Sequence, residues 1–86
     1  MKLASLQRFS VPRNKLTSIP IEIGRLTNLE TLYLYSNKLH KLPKEMGQLV
    51  NLRHINIRDN QIIEIPSKIY QTQGLQIYAS KKYEII

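Results

Sequence analysis

The 86-residue sequence contains no cysteine and only two histidines. Without cysteine, neither a disulfide bond nor a thiolate metal site can form, and two histidines alone do not build a structural zinc site. No run of about 18 apolar residues occurs, so the sequence predicts no membrane-spanning helix. We therefore expect a chain that folds around an ordinary apolar core, without a metal ion and without insertion into a membrane.

Motifs that would carry catalysis are also missing. The sequence has no cysteine nucleophile, no glycine-rich phosphate loop and no metal-binding motif. Glu30, Asp59 and Glu64 are scattered along the chain, and each is interpreted as a surface charge. His40 follows a predicted turn, where we expect it to face solvent. The sequence therefore predicts neither an enzyme nor a bound cofactor.

The first residues of the chain do not resemble a secretory signal. They lack the apolar run of about seven residues that a signal peptide needs. We therefore expect a cytoplasmic location by default, and a secreted or surface location if a leader has been removed.

Positive charge is in excess, with 13 lysines and arginines against 6 acidic residues and a formal net charge of +7. Such a charge favours acidic partners or nucleic acid. Lys15 and Lys38 share one repeat position, whereas Lys41, Lys44 and Lys68 are mixed with glutamates. Because nucleic-acid binding needs a gathered basic stripe, this spread makes it the least favoured of the binding hypotheses.

Apolar, asparagine and proline residues recur every 23 positions. Asn14, Asn37 and Asn60 have this spacing, and Pro20, Pro43 and Pro66 share it. The apolar columns include Leu3, Leu26 and Leu49; Leu6, Leu29, Leu52 and Leu75; Phe9, Leu32 and Ile55; and Val11, Leu34 and Ile57. A helical protein has no use for a proline at every repeat, because proline breaks a helix interior. The pattern therefore indicates a repeat architecture.

The second unit reads Leu26-x-x-Leu29-x-x-Leu32-x-Leu34-x-x-Asn37-x-Leu39-x-x-Leu42-Pro43. This pattern resembles the leucine-rich repeat family in its 23-residue bacterial form, and segment 42–52 is especially similar to leptospiral leucine-rich-repeat proteins. The resemblance covers roughly residues 3–77. It implies an α/β fold: a short right-handed leucine-rich-repeat solenoid of about four repeats, with a parallel sheet on the concave face and short helical or extended segments on the convex face. We expect one domain, residues 1–86, with repeats at about 3–25, 26–48 and 49–71 and a degenerate terminal repeat at 72–86.

The physical chemistry of the unit agrees with this fold. Leu32-x-Leu34 alternates with period two, which is typical of a short strand with one buried face. A single coil cannot bury its own leucines, so neighbouring coils must bury them. The asparagine column (Asn14, Asn37 and Asn60) lies where each strand ends, and the resemblance implies an asparagine ladder from coil to coil. Gly24 and Gly47 are interpreted as left-handed caps that end the convex segment.

The resemblance implies that residues between the buried strand positions point outward and bind a partner. These candidate contact residues are Arg8, Thr31, Tyr33, Tyr35, His54, Asn56 and Arg58, with Ser10 and Pro12 beside them. None is acidic, and tyrosine and arginine are frequent hot-spot residues of protein interfaces. The alternative is a solvated sheet face whose side chains only pack across strands.

The last repeat admits two registers. If the period continues, Ile77, Ala79 and Lys81 point outward; if the register shifts by one residue, Ile77 and Ala79 point inward and Tyr78 points outward. Tyr70, Tyr78 and Tyr83 cluster there, and we interpret them as a cap on the last coil or, alternatively, as a contact surface.

The sequence predicts a non-catalytic protein-protein interaction module that binds a protein partner through the concave strand face. The alternative is a structural unit that self-assembles into homo-oligomers through uncapped solenoid ends, because no polar helix precedes the first strand.

Overall fold

The computed structural model describes residues 5–86, and the regular elements in this range are all short. The strands are β1 (Arg8–Ser10), β2 (Thr31–Tyr33), β3 (His54–Asn56), β4 (Glu64–Ile65), β5 (Gln76–Tyr78) and β6 (Glu84–Ile85). Between them lie 3₁₀ helices at Ile21–Arg25 and Lys44–Gln48 and the α-helix α1 at Ser67–Tyr70. Leu3, which the repeat assigns to an apolar column, lies outside the described residues.

Four strands form one parallel sheet in the order β1-β2-β3-β5. Arg8 pairs with Thr31 and Thr31 with His54, so one repeat of 23 residues advances the chain by one strand. A second parallel sheet joins β4 to β6 further along the coil. The predicted parallel sheet with one strand per repeat is therefore confirmed.

The helices stack on the side of each coil opposite the four-stranded sheet. The first 3₁₀ helix packs against the second, and the second packs against α1. Between helices and sheet lies one apolar core, whose wholly buried members include Leu29, Leu32, Leu34, Leu39, Met46, Leu49, Leu52, Ile55, Ile65 and Ile69. The predicted α/β solenoid is the observed fold.

A proline stands directly before each helix. Pro20, Pro43 and Pro66 have φ between −57° and −70° and an extended ψ, and the next residue begins the helix. Because proline fixes φ near this value, it sets the direction in which the chain enters the helix. The period of prolines in the sequence therefore marks the start of each convex segment.

The predicted left-handed caps at Gly24 and Gly47 are wrong. Both glycines lie within 3₁₀ helices, and Gly74 is the glycine with a positive φ in the described chain. A Cβ atom on Gly24 would lie 2.6 Å from the backbone oxygen of Glu45, and one on Gly47 would lie 2.8 Å from Cβ of Lys68. These glycines therefore serve close packing between neighbouring coils rather than chain reversal.

The turn after each of the first three strands uses a residue with a left-handed backbone. Arg13, Ser36 and Asp59 have φ of 58°, 61° and 56°, and each directly precedes an asparagine of the repeat. An L-residue is disfavoured in this region by about 1–2 kcal/mol. Neighbouring hydrogen bonds must therefore hold the turn, and the asparagine side chains supply them.

Candidate functional site

Successive side chains of each strand point alternately into the core and away from it. Leu32 and Ile55 are wholly buried, and Ile77 pairs with Ile55 in the next strand and also packs against the core. Their neighbours Tyr33, Asn56 and Tyr78 therefore point to the opposite side of the sheet. We call this side of the four-stranded sheet, away from the core, the strand face.

The register of the last strand follows the shifted alternative. His54 pairs with Gln76, a step of 22 residues, so Ile77 and Ala79 lie inward against the core and Tyr78 lies outward. The outward assignment of Ile77 and Ala79 by continued period is wrong, whereas Lys81 is exposed. Leu75 occupies the same place in its turn as Leu52 does in the preceding repeat, because the N–H of each donates to the carbonyl three residues earlier. One residue fewer separates Leu75 from β5 than separates Leu52 from β3, and this missing residue shifts the register.

The side chains on the strand face gather into one shallow depression of about 540 Å³. We call the residues that line it the aromatic-cationic cluster: Tyr33, Tyr35, His54, Asn56, Arg58 and Tyr78. Strand β2 and the residues after it supply the first two tyrosines, β3 and its extension supply the next three residues, and β5 supplies Tyr78. Five of these residues are candidate contact residues from the sequence, and the structure brings them together.

Aromatic and cationic contacts hold the cluster in place. The rings of Tyr33 and Tyr35 lie 6.2 Å apart with a tilt of 58°. The ring of His54 stacks on Tyr78 at 6.3 Å, and the guanidinium carbon of Arg58 lies 5.5 Å from the centre of the same ring. A cation above an aromatic face at this distance is attracted by the ring quadrupole. Tyr78 therefore contacts both His54 in β3 and Arg58 just beyond it.

Tyr78 is the cluster member that the continued period misses. A strict count of 23 residues assigns it to the buried side, because the deletion before β5 is invisible to the period. The signal that identifies it is local: Leu75, Ile77 and Ala79 alternate with Gln76 and Tyr78. This alternation is typical of a strand whose odd-numbered residues are buried.

Other candidate contact residues lie outside the cluster. Thr31 is only 8% exposed, so it offers little surface to a partner. Arg8 is exposed on the edge strand β1, and neither it nor Ser10 nor Pro12 lines the depression. The side chains available at the first strand are thus separate from the cluster on β2, β3 and β5.

The asparagine column links consecutive coils. Asn37 is 8% exposed, and its Oδ1 accepts hydrogen bonds from the N–H groups of Asn14 and Leu16, each at 3.0 Å. Its Nδ2 donates to the carbonyl oxygens of Val11 at 3.0 Å and Leu34 at 2.9 Å. These bonds satisfy backbone groups that the turn withdraws from the strand ladder.

Asn60 repeats this arrangement one coil later, and Asn14 does not. Asn60 accepts from the N–H of Leu39 and donates to the carbonyl of Leu34 at 2.9 Å. Asn14 is exposed, and its Nδ2 donates locally to the carbonyl of Pro12. In the last coil, the hydroxyl of Ser80 accepts from the N–H of Asp59 at 2.9 Å. The column is therefore internal at two positions and peripheral at the first.

The two ends of the solenoid differ. Within residues 5–86, an apolar groove of about 360 Å³ lies at the N-terminal end, and we call it the N-terminal groove. Its walls are mainly Phe9, Val11, Leu16, Ile19, Ile23 and Leu26. At the C-terminal end, Tyr83 packs against the core and lines a depression with Tyr70, Leu75 and Ile77. The three clustered tyrosines thus divide, because Tyr78 turns to the strand face.

Within residues 5–86, no group of three or more histidine or acidic side chains is close enough to hold a metal ion. None of the helices in the same range has the length and apolar character needed to cross a bilayer.

Comparisons with known proteins relate this geometry to a family. A sequence profile described as leucine rich repeat matches residues 4–62 of the chain. Among solved structures, a leucine-rich repeat protein of the bacterium Leptospira interrogans is similar, with a TM-score of 0.81 and 41% sequence identity. The similarity covers 95% of this chain and 20% of that chain, so this chain spans about a fifth of its neighbour's length. No curated protein matches the sequence.

Proposed function

Because this chain belongs to the leucine-rich repeat family, we propose that it is a non-catalytic module that binds a protein partner through the strand face. The family generally serves protein interactions, and its fold is typically non-catalytic. The observation that carries the proposal is the aromatic-cationic cluster, which joins three strands in one depression. Tyrosine and arginine in a common depression are the residue types that dominate binding energy at protein interfaces.

The size of the strand face limits what it binds. Four strands about 4.8 Å apart, each about four residues long, give a projected area of roughly 250 Å². A stable protein complex buries about 800 Å² on each partner. The proposed partner therefore contributes a short segment, or several copies of the chain bind together and gain avidity.

A selection of random peptides displayed on phage tests this proposal. Peptides selected on the wild-type chain are expected to lose at least about tenfold in affinity for Tyr35→Ala and for Arg58→Ala, because both changes remove hot-spot side chains. Arg25→Ala is the matched control, since this exposed arginine lies on the helical side and loses the same charge. Circular dichroism shows whether each variant remains folded. Selected peptides that bind all three variants as well as the wild type would contradict the strand-face proposal.

The N-terminal groove supports a second candidate, self-association through the ends of the solenoid. Its walls are almost entirely apolar, and an open apolar end is what another coil would cover. Light scattering across protein concentration is expected to show a mass that rises above 10.1 kDa. Ile19→Lys, which puts a charge in the groove, is expected to lower that mass while the circular dichroism spectrum is retained. A constant monomer mass at the highest concentration would contradict self-association.

A further inference from the structure

The aromatic-cationic cluster has many hydrogen-bond donors without a partner. In the described chain, the guanidinium of Arg58 stacks over Tyr78 and forms no hydrogen bond or ion pair, so its five N–H groups are free. The hydroxyl groups of Tyr33 and Tyr35 likewise have no hydrogen-bond partner among residues 5–86. Asn56 uses its Oδ1 to accept from the N–H of Arg58 at 3.1 Å, which leaves its two amide hydrogens.

Among residues 5–86, no acidic side chain lines the same cluster. Glu22 and Glu45 lie in the 3₁₀ helices, and Glu64 and Glu84 lie in the second sheet. Glu30 directly precedes β2 and does not line the depression. Asp59 follows Arg58 in sequence but lines a separate depression together with Lys81 and Ser80. No carboxylate of the described chain therefore lines the depression beside Arg58. A ligand that supplies acceptors and negative charge complements this surface.

We infer that the strand face binds an acidic peptide segment, with a side-chain carboxylate of the segment on Arg58; this inference rests on the proposed binding function. A guanidinium presents its donors in a fork that matches the two oxygens of a carboxylate. Stacking on Tyr78 holds the fork in one place, so less side-chain freedom is lost when the carboxylate binds. The neighbouring hydroxyl and amide hydrogens can then reach further acceptor oxygens of the segment.

The geometry favours a short peptide over a nucleic acid. The cluster contains one arginine and one histidine, whereas the lysines Lys15, Lys38, Lys41, Lys44 and Lys68 lie outside the depression. A nucleic acid requires a continuous track of cations along its backbone. A peptide carboxylate requires one well-placed fork with nearby donors, and this is what the cluster supplies.

The test uses two synthetic octapeptides, both acetylated and amidated. One alternates glutamate and threonine, and the other replaces every glutamate by glutamine. Each is titrated into the isotope-labelled full chain, and backbone amide shifts are followed by NMR. The glutamate peptide is expected to shift amides of β2, β3 and β5 and to bind at least about tenfold more tightly than the glutamine peptide. Arg58→Gln is expected to bind the glutamate peptide about tenfold more weakly than the wild type. Arg25→Gln changes an exposed arginine on the helical side and is expected to retain wild-type affinity.

Four outcomes would overturn the inference. The first two are no binding of the glutamate peptide and equal binding of both peptides. The third is an equal loss of affinity for the glutamate peptide in Arg58→Gln and Arg25→Gln. The fourth is tighter binding of an eight-nucleotide uridine strand, with an affinity that Arg58→Gln does not weaken. The phage selection distinguishes failure of the acidic-peptide inference from failure of the proposed binding function. Neutral selected peptides that require Tyr35 would remove the acidic ligand while they support binding at the strand face. Selected peptides rich in aspartate and glutamate would support both.

Discussion

Replacing Asn37 by alanine is expected to lower the free energy of unfolding by about 3 kcal/mol. The Asn37 amide makes five hydrogen bonds, three to the preceding coil and two to the turn of its own coil, and the residue is 8% exposed. Alanine removes the partners of the N–H groups of Asn14 and Leu16 and of the carbonyl oxygen of Val11, all in partly buried hydrogen bonds. Urea denaturation followed by circular dichroism measures the loss.

Asn14→Ala is the matched control for this substitution. Asn14 has the same position in the repeat, but it is exposed and its side chain bonds only to the nearby carbonyl of Pro12. Water can replace that bond, so a loss below about 1 kcal/mol is expected. An equal loss in the free energy of unfolding for Asn14→Ala and Asn37→Ala would show that the hydrogen bonds between coils stabilise the chain no more than the local bond of Asn14 does.

The effect of Asn37→Ala is large relative to what such a chain can lose. A domain of this length has a total stability of about 4–13 kcal/mol. The left-handed backbone at Ser36 adds to the dependence on Asn37, because the turn costs energy that the amide bonds offset. A loss of about 3 kcal/mol therefore removes a substantial part of the stability of the whole solenoid.

Most of the fold was predictable because one period governs it. Strand positions, buried columns, turn asparagines and the prolines before each helix all repeat at 23 residues, and a coil can bury its leucines only against the next coil. The departure from the period before β5 was not predictable from the period itself. The deletion of one residue before β5 moved the side chains of that strand to the other face relative to the period, and only the local alternation around Ile77 reports it.

The candidate site was also predictable from the 23-residue period, except where the deletion before β5 interrupts that period. Tyr33, Tyr35, His54, Asn56 and Arg58 follow from the alternation in repeats that keep the period. Tyr78 depends on the shifted register, and its contacts with His54 and Arg58 depend on side-chain conformations that no repeat pattern encodes. Thr31 is buried although it lies at an outward position, which strand alternation does not predict.

Gly24 was interpreted from sequence as a turn residue, and its observed role predicts the second large effect. Gly24→Ala is expected to destabilise the chain by about 1–3 kcal/mol, because the added methyl group would overpack the contact between two coils. A Cβ atom there would lie 2.6 Å from the backbone oxygen of Glu45 and 2.9 Å from Oε1 of Gln48. The glutamine side chain can move away, but the backbone oxygen belongs to the next 3₁₀ helix, so the two helices must separate.

The control for Gly24→Ala lies one residue further along the same 3₁₀ helix. Arg25 is exposed, so Arg25→Ala is expected to change the free energy of unfolding by less than about 0.5 kcal/mol in the same urea denaturation. Because alanine has a higher helix propensity than glycine, an exchange at Gly24 that acted only through local backbone preference would stabilise the chain. A gain in stability for Gly24→Ala would therefore contradict the close-packing role, whereas a loss confined to Gly24 would show that the spacing of neighbouring coils depends on this missing side chain.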